Sequence, residues 1–320
     1  MSSAYPEGAG ARDAWILARR PLRHPLDPRR AHAALVEDEV AASGEIVPVA
    51  TIFLTNRECP WRCLMCDLWK NTLTESVPPG AIAAQIRDAL AQLPPARHVK
   101  LYNAGSFFDP RAIPPADLAG IAGLLRPFER VIVESHPALV GPACLRFRDL
   151  VGGRLEVAMG LETVHPDALE RLNKRMTLEQ FAVAAAFLER AGVGLRVFVL
   201  VGVPFLGEDE GMAWTRRSIA HAFEHGASAV SVIPTRSGNG ALEALAAAGE
   251  FAEPPLAALE DAQDFGLSLG RGRVFADLWD LERFRRCGVC FDPRRERLAE
   301  ANLRQRARPR IACTACAGAA

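Results

Sequence analysis

The chain has 320 residues, 49% hydrophobic and 24% charged, with 38 basic against 38 acidic side chains and a formal net charge of zero. That length suits one large α/β domain with appendages. The balanced charge excludes a global field drawing the chain to nucleic acid or membrane. No apolar run is long enough to span a bilayer. The start, MSSAYPEGAGARDAW, lacks the basic residues and apolar core of a secretory signal, so we expect a cytoplasmic protein.

Residues 1–44 read as a leader with a short helix over Ala11–Arg20, ended by Pro21. Five arginines (19, 20, 23, 29 and 30) make it basic, His24 and His32 read as surface histidines, and the whole reads as an exposed tether. From Glu45 the pattern becomes strand–helix alternation. Strands are expected at Glu45–Thr55, His98–Asn103, Arg130–Ser135, Leu155–Thr163, Leu195–Val203 and Ser228–Pro234, with Val274–Ala276 as a short last one. Leu195–Val203 is almost continuously apolar, as in a parallel strand covered on both faces. Helices are expected at Gly80–Leu93, Pro114–Phe128, Pro142–Leu150, His165–Leu172, Leu178–Ala191, Asp209–His225, Gly240–Ala248 and Pro255–Leu267. Six strands each followed by a helix imply a parallel sheet with right-handed crossovers. A six-unit partial barrel, (β/α)6, matches that count over residues 45–282; a complete eight-unit barrel needs more units.

The eight cysteines cluster as Cys59/63/66, Cys287/290 and Cys313/316, with Cys144 alone. Such clustering reads as metal ligation rather than disulfides, and Cys144 as a small buried residue. Cys59-Pro60-Trp61-Arg62-Cys63-Leu64-Met65-Cys66 follows the first strand of the barrel. Its three thiolates suit three corners of a cubane iron–sulfur cluster, leaving one iron open; a zinc knuckle or three unrelated thiols are the alternatives. In parallel α/β barrels the site lies past the carboxyl ends of the strands. The segments there are Asn103-Ala104-Gly105-Ser106, Glu134-Ser135-His136, Glu162 with Asn173-Lys174-Arg175, the Gly202 turn, and Pro234-Thr235-Arg236. Glu162 within an apolar strand needs a partner for its carboxylate. Residues 283–320 form a Cys-rich extension. Its C-x2-C pairs, Cys287/Cys290 and Cys313/Cys316, suit either a tetrahedral zinc or a second iron–sulfur cluster. Between Arg283 and Arg310 stand ten arginines against three acids, a segment able to face a phosphate backbone.

The run ECPWRCLMCDLW, with YNAGSFFDP, VESHP, GLETVHPDALERLNK, VPFLGEDE, IPTRSGNG and the late paired cysteines, resembles the radical S-adenosylmethionine (SAM) superfamily over residues 45–316. Within it the chain resembles the branch that holds the radical SAM subunit of archaeosine synthase, a cousin of the Elongator radical SAM domain. Two positions depart from the common pattern: Met65 stands where an aromatic is frequent, and Asn-Ala-Gly-Ser-Phe replaces Gly-Gly-Glu. The resemblance implies a [4Fe-4S] cluster on Cys59, Cys63 and Cys66, with SAM on the open iron cleaved to a 5′-deoxyadenosyl radical. It implies SAM contacts from Asn103, Ala104, Gly105, Ser106, Glu134, Glu162, Gly202, Pro234 and Arg236. Candidates to act on substrate are Glu134, His136, Lys174 and Arg236. A ferredoxin- or flavodoxin-type reductant is the implied partner. The expected substrate is a modified base in tRNA, with C–N bond cleavage. The alternatives are a small-molecule or natural-product precursor, or a non-catalytic metal-binding adaptor.

Overall fold

The computed structural model describes residues 5–317; the first four residues of the leader and the last three of the tail lie outside them. Eight strands form one sheet in sequence order: β1 (Ala33–Val40), β2 (Ile46–Phe53), β3 (His98–Tyr102), β4 (Arg130–Glu134), β5 (Leu155–Glu162), β6 (Gly194–Val201), β7 (Ala229–Pro234) and β8 (Arg273–Ala276). Strands β2 to β8 run parallel, and β1 pairs antiparallel with β2. The expected six-unit parallel core is β2–β7. It is extended by β8 and β1 into a curled partial barrel of mixed α/β type.

Helices α2 (Ala81–Leu90), α3 (Leu118–Leu124), α4 (Pro142–Leu150), α5 (Pro166–Arg171), α6 (Leu178–Arg190), α7 (Glu208–Glu224), α8 (Ala241–Ala247) and α9 (Leu256–Ser268) fill the connections. Alternation divides each strand between two environments. In β6, Val197, Val199 and Val201 join the helix-facing core, while Arg196, Phe198 and Leu200 face a central cavity. Local signals agree with this layout. A Thr177–Gln180 capping box starts α6, and three acids open α7 where the helix dipole favours them.

The leader is not a tether. Helix α1 (Ala9–Leu17) brings Ile16, with Tyr5, into a cluster with Leu64 and α8. The strand β1 was not expected, since it lies within the segment 1–44 read as a leader. Its register places Glu39 opposite Val47, and the carboxylate is neutralised inside the barrel. Arg196 bonds Glu39 at 2.5 Å and Glu156 at 2.9 Å, Lys100 bonds Glu39 at 2.5 Å, and Arg273 reaches Glu156 at 3.4 Å. This network floors the barrel at the amino ends of its parallel strands. Buried charges of this kind persist only when paired.

A helix in the tail, α10 (Phe291–Arg304), also escaped the sequence reading. It packs against both edge strands, β1 and β8. Asn302 accepts from Ala276 N at 2.8 Å and donates to Ala276 O at 2.9 Å; Gln305 accepts from Val274 N at 2.7 Å and donates to Val274 O at 3.1 Å. Two side-chain amides thus stand in for a missing strand along the β8 edge, satisfying backbone groups that would otherwise be open to intermolecular pairing. A short α11 (Thr314–Ala317) ends the described chain. Among the described residues no helix is long and apolar enough to cross a membrane.

Candidate active site at the carboxyl rim of the barrel

A cavity of about 610 Å³ runs from the cysteine loop down to the ionic floor. Cys59, Cys63 and Cys66 all line it and are free thiols. Burial pushes each of them up to about 12, so as bare thiols they stay protonated; a bound electropositive centre is what turns such groups into thiolates. Three free thiols on one loop, all lining one cavity, fit an iron–sulfur cluster with one open corner.

The loop is held by its backbone. Asn173 donates to Arg62 O at 2.8 Å, Asn239 to Leu64 O at 2.7 Å, and Leu64 N to Leu172 O at 2.9 Å. The turn 173–175 therefore acts as a hub, with Asn173 and Arg175 at φ 55° and 57°. Left-handed backbone at non-glycine residues is strain that surrounding contacts must hold. Arg175 also pairs with Asp13 of α1.

The expected rim residues fall into three groups. Ala104, Gly105, Ser106, Glu134, His136, Glu162, Lys174, Pro234 and Arg236 all line the cavity. Gly105 lies so close to the loop that a Cβ would stand 3.2 Å from Cys59 Cβ. Asn103 is wholly buried and contributes its backbone: its N–H donates to Glu134 at 2.5 Å, joined by Gly105 N at 3.4 Å. Burial nevertheless raises the Glu134 carboxyl to about 7, against those N–H bonds. Glu162 bonds Lys174 at 2.7 Å, so the buried acid finds its partner within the chain. Burial opposes the Lys174 charge, but Glu162 holds its pKa above the usual value. Gly160 leaves room for that ion pair, since a Cβ there would strike Glu162 and come within 2.5 Å of Lys174 Nζ.

Three of the expected residues have partners elsewhere in the chain. The Gly202 turn (φ 76°) does not line the cavity; it packs on Pro254, whose Cδ would lie 2.7 Å from an added Cβ. Arg236 is engaged by Asp277 and Trp279 O, both at 2.6 Å, so that donor is not free for an anionic substrate. His136 accepts from Ala138 N at 3.1 Å through Nδ1 and lies 3.1 Å from Lys174 O through Nε2. Burial first, then Lys174, holds it down to about 3, a neutral ring with neither nitrogen spare for acid–base work. Its visible role is packing: Trp61 of the cysteine loop stacks on it at 3.7 Å.

Some site residues were missed. Phe53, Tyr102, Phe198, Phe275 and Trp279 give the cavity aromatic walls. His32, read as a surface histidine, also lines it, with a buried Nδ1 that has no partner. Period-two alternation could have pointed to Phe53, Tyr102 and Phe198, each on the opposite face from its apolar neighbours.

In the tail, the Sγ atoms of Cys287, Cys290, Cys313 and Cys316 lie within 4.8 Å of one another, with Cys287–Cys313 at 3.9 Å and Cys290–Cys316 at 3.7 Å. N–H groups of Cys290 and Val289 hold Cys287 down to about 6, while the other three thiols push Cys316 up to about 12. The expected basic face is largely spent. Arg294 and Arg297 bond Glu260 and Asp264 of α9 at 2.6 and 2.7 Å, and Arg310 reaches Asp264 at 2.9 Å. Arg283, Arg285, Arg295 and Arg308 also have acidic partners. Among the described residues only Arg286, Arg304 and Arg306 of the ten form no ion pair.

The curled α/β partial barrel, with its cysteine loop after the first parallel strand, has the fold of the radical SAM enzymes. Methylornithine synthase shares it at TM-score 0.50 and 14% identity, over 84% of this chain and 72% of that one. In sequence the chain is similar to archaeosine synthase subunit beta of Methanosarcina acetivorans, 30% identical over 220 residues, which cover 64% of this chain and 62% of the relative. It is also similar to an uncharacterised protein of Methanocaldococcus jannaschii, 24% identical over 223 residues covering 65% and 61%. The chain thus spans about three fifths of the length of these curated relatives. No protein-family model matches it.

Proposed function

We propose that this chain is a cytoplasmic radical SAM enzyme whose substrate is a modified base in tRNA. The observation that carries the radical chemistry is the set of three half-buried free thiols opening on a cavity lined by Glu134 and the Glu162–Lys174 pair. Cys59, Cys63 and Cys66 would hold a [4Fe-4S] cluster; with SAM and an electron from a ferredoxin- or flavodoxin-type donor, it supplies a 5′-deoxyadenosyl radical for hydrogen abstraction. The protein binds, orients and shields. Backbone at Ala104 and Gly105 offers close approach to an amino-acid head, and Glu134 offers a carboxylate to its ammonium. Glu162 and Lys174 present a buried pair to ribose or carboxylate oxygens. The aromatic walls exclude water from the radical's path.

The similarity to archaeosine synthase subunit beta supports tRNA as the target. A small-molecule substrate is the second reading, favoured by the neutralised tail arginines. The tail cysteines are proposed to hold zinc. A tetrahedral ion with bonds of about 2.3 Å sets its sulfurs about 3.8 Å apart, close to the 3.7 and 3.9 Å found; a cubane spreads its thiolates further.

Anaerobically reconstituted protein, given SAM and a strong reductant, is expected to release 5′-deoxyadenosine and methionine; release of neither overturns the enzyme reading and leaves the adaptor. Metal analysis is expected to find about four irons and one zinc per chain, whereas about eight irons would install a second cluster. Salt-sensitive tRNA binding separates the two substrate classes.

A further inference from the structure

Glu58, immediately before Cys59, is nearly buried at 9% side-chain exposure and gathers three guanidiniums: Arg20 at 2.7 Å, Arg62 at 3.1 Å, and Arg23. Arg62 belongs to the cysteine loop and also donates to Cys59 O at 2.6 Å. Arg20 and Arg23 come from the strap between α1 and β1. Arg20, 7% exposed, lies over the Trp69 ring at 4.6 Å. Arg23 donates to Trp69 O at 3.1 Å, Thr72 O at 3.2 Å and Thr72 Oγ1 at 2.7 Å. His24 N donates to Lys70 O at 3.0 Å. The strap therefore ties both ends of the loop that carries the three thiols.

The charge does not cancel. One carboxylate faces three guanidiniums, while the neighbouring charges are matched: Asp67 by Lys70 at 3.8 Å, and Lys174 by Glu162. A surplus of two positive charges, largely withdrawn from solvent screening, sits behind the thiols. We propose that Arg20 and Arg23, collected by Glu58, are positioning residues of the redox site: they hold the three-thiol loop and bias the centre it carries toward accepting an electron. This rests on the iron–sulfur reading of Cys59, Cys63 and Cys66. Adding an electron to a thiolate-held cluster adds negative charge, and nearby positive charge favours that step.

The test is an anaerobic redox titration of the reconstituted full chain, followed by electron paramagnetic resonance, with iron counted per chain. Arg20→Met is expected to lower the midpoint potential, Arg20→Lys to leave it near the parent value, and Glu58→Gln to raise it. A loaded Arg20→Met protein with the parent's potential overturns the proposal, as does a potential in Arg20→Lys that follows Arg20→Met. If Glu58→Gln fails to load iron, the Arg20 pair alone decides. A parent chain that assembles no cluster overturns the iron–sulfur reading itself, a result distinguishable from a loaded parent whose potential ignores charge at residue 20.

Discussion

At the scale of single residues, the site is governed by what burial does to ionisable groups. Glu134 is the clearest case. Removal from water raises its carboxyl to about 7, although backbone N–H groups pull the other way. The raised value means that the neutral form contributes stability below the ordinary carboxylate range, and this is lost as pH rises through about 7. A bound ammonium reverses the preference by favouring the carboxylate. SAM affinity is therefore expected to rise about tenfold between pH 6 and pH 8, and Glu134→Gln to flatten that profile, as read by equilibrium dialysis. A pH-independent affinity in the parent chain would remove Glu134 from the binding site. The position of Glu134 was legible, because an acid at the end of RVIVE is conspicuous. Its protonation was not, since that depends on how completely β3, β4 and the turn after Tyr102 close around it.

At the scale of elements, α10 and β1 repay attention because neither declared itself. Helix α10 is too arginine-rich to show an apolar face, and its partners are acids on α9 and the edge-facing backbone of Val274 and Ala276 on β8. Replacing Asn302 and Gln305 together by Leu would leave the N–H and C=O of Val274 and Ala276 without partners. Each such group costs about 1–3 kcal/mol when buried. The double variant is expected to lose several kcal/mol in denaturant unfolding and to lose hydrogen-exchange protection at β8 and α10. Unchanged protection at residues 274 and 276 would show that the amides do not seal the edge. The parallel strands, in contrast, were visible as apolar runs with turn signals, and their observed limits fall within a residue or two of the expected ones.

For the whole molecule, the decisive feature is the ionic floor, which joins an antiparallel strand to β3, β5, β6 and β8. Arg196→Met would leave Glu39 with Lys100 alone and Glu156 with Arg273 alone inside the barrel, removing a charged hydrogen bond from each, an expected loss of about 3–5 kcal/mol near neutral pH. Desolvation opposes the charge of both acids, but Arg196 with Lys100 (for Glu39) and Arg273 (for Glu156) holds them below the usual range. Their contribution in the parent is thus present above the ordinary carboxylate value and lost as pH falls through the depressed one. The deficit of the variant should narrow on acidification, because protonation removes the carboxylate charges that Arg196 helped to hold. A deficit that widens in acid would assign the loss to packing rather than charge.

Two things were determined by the amino-acid sequence alone: the order of the parallel strands and of the helices between them, and the grouping of seven cysteines into one three-thiol loop and one four-thiol tail. Both are local properties, carried by periodicity and spacing. The tertiary structure decided which charges are spent and which remain free. It turned a basic tail into a zipper against α9, turned a leader into a sheet edge and a brace for the cysteine loop, and tied Arg236 to the β8 exit. Such outcomes depend on pairing between residues far apart in the chain. A charge is solvated or matched only according to what the fold sets opposite it.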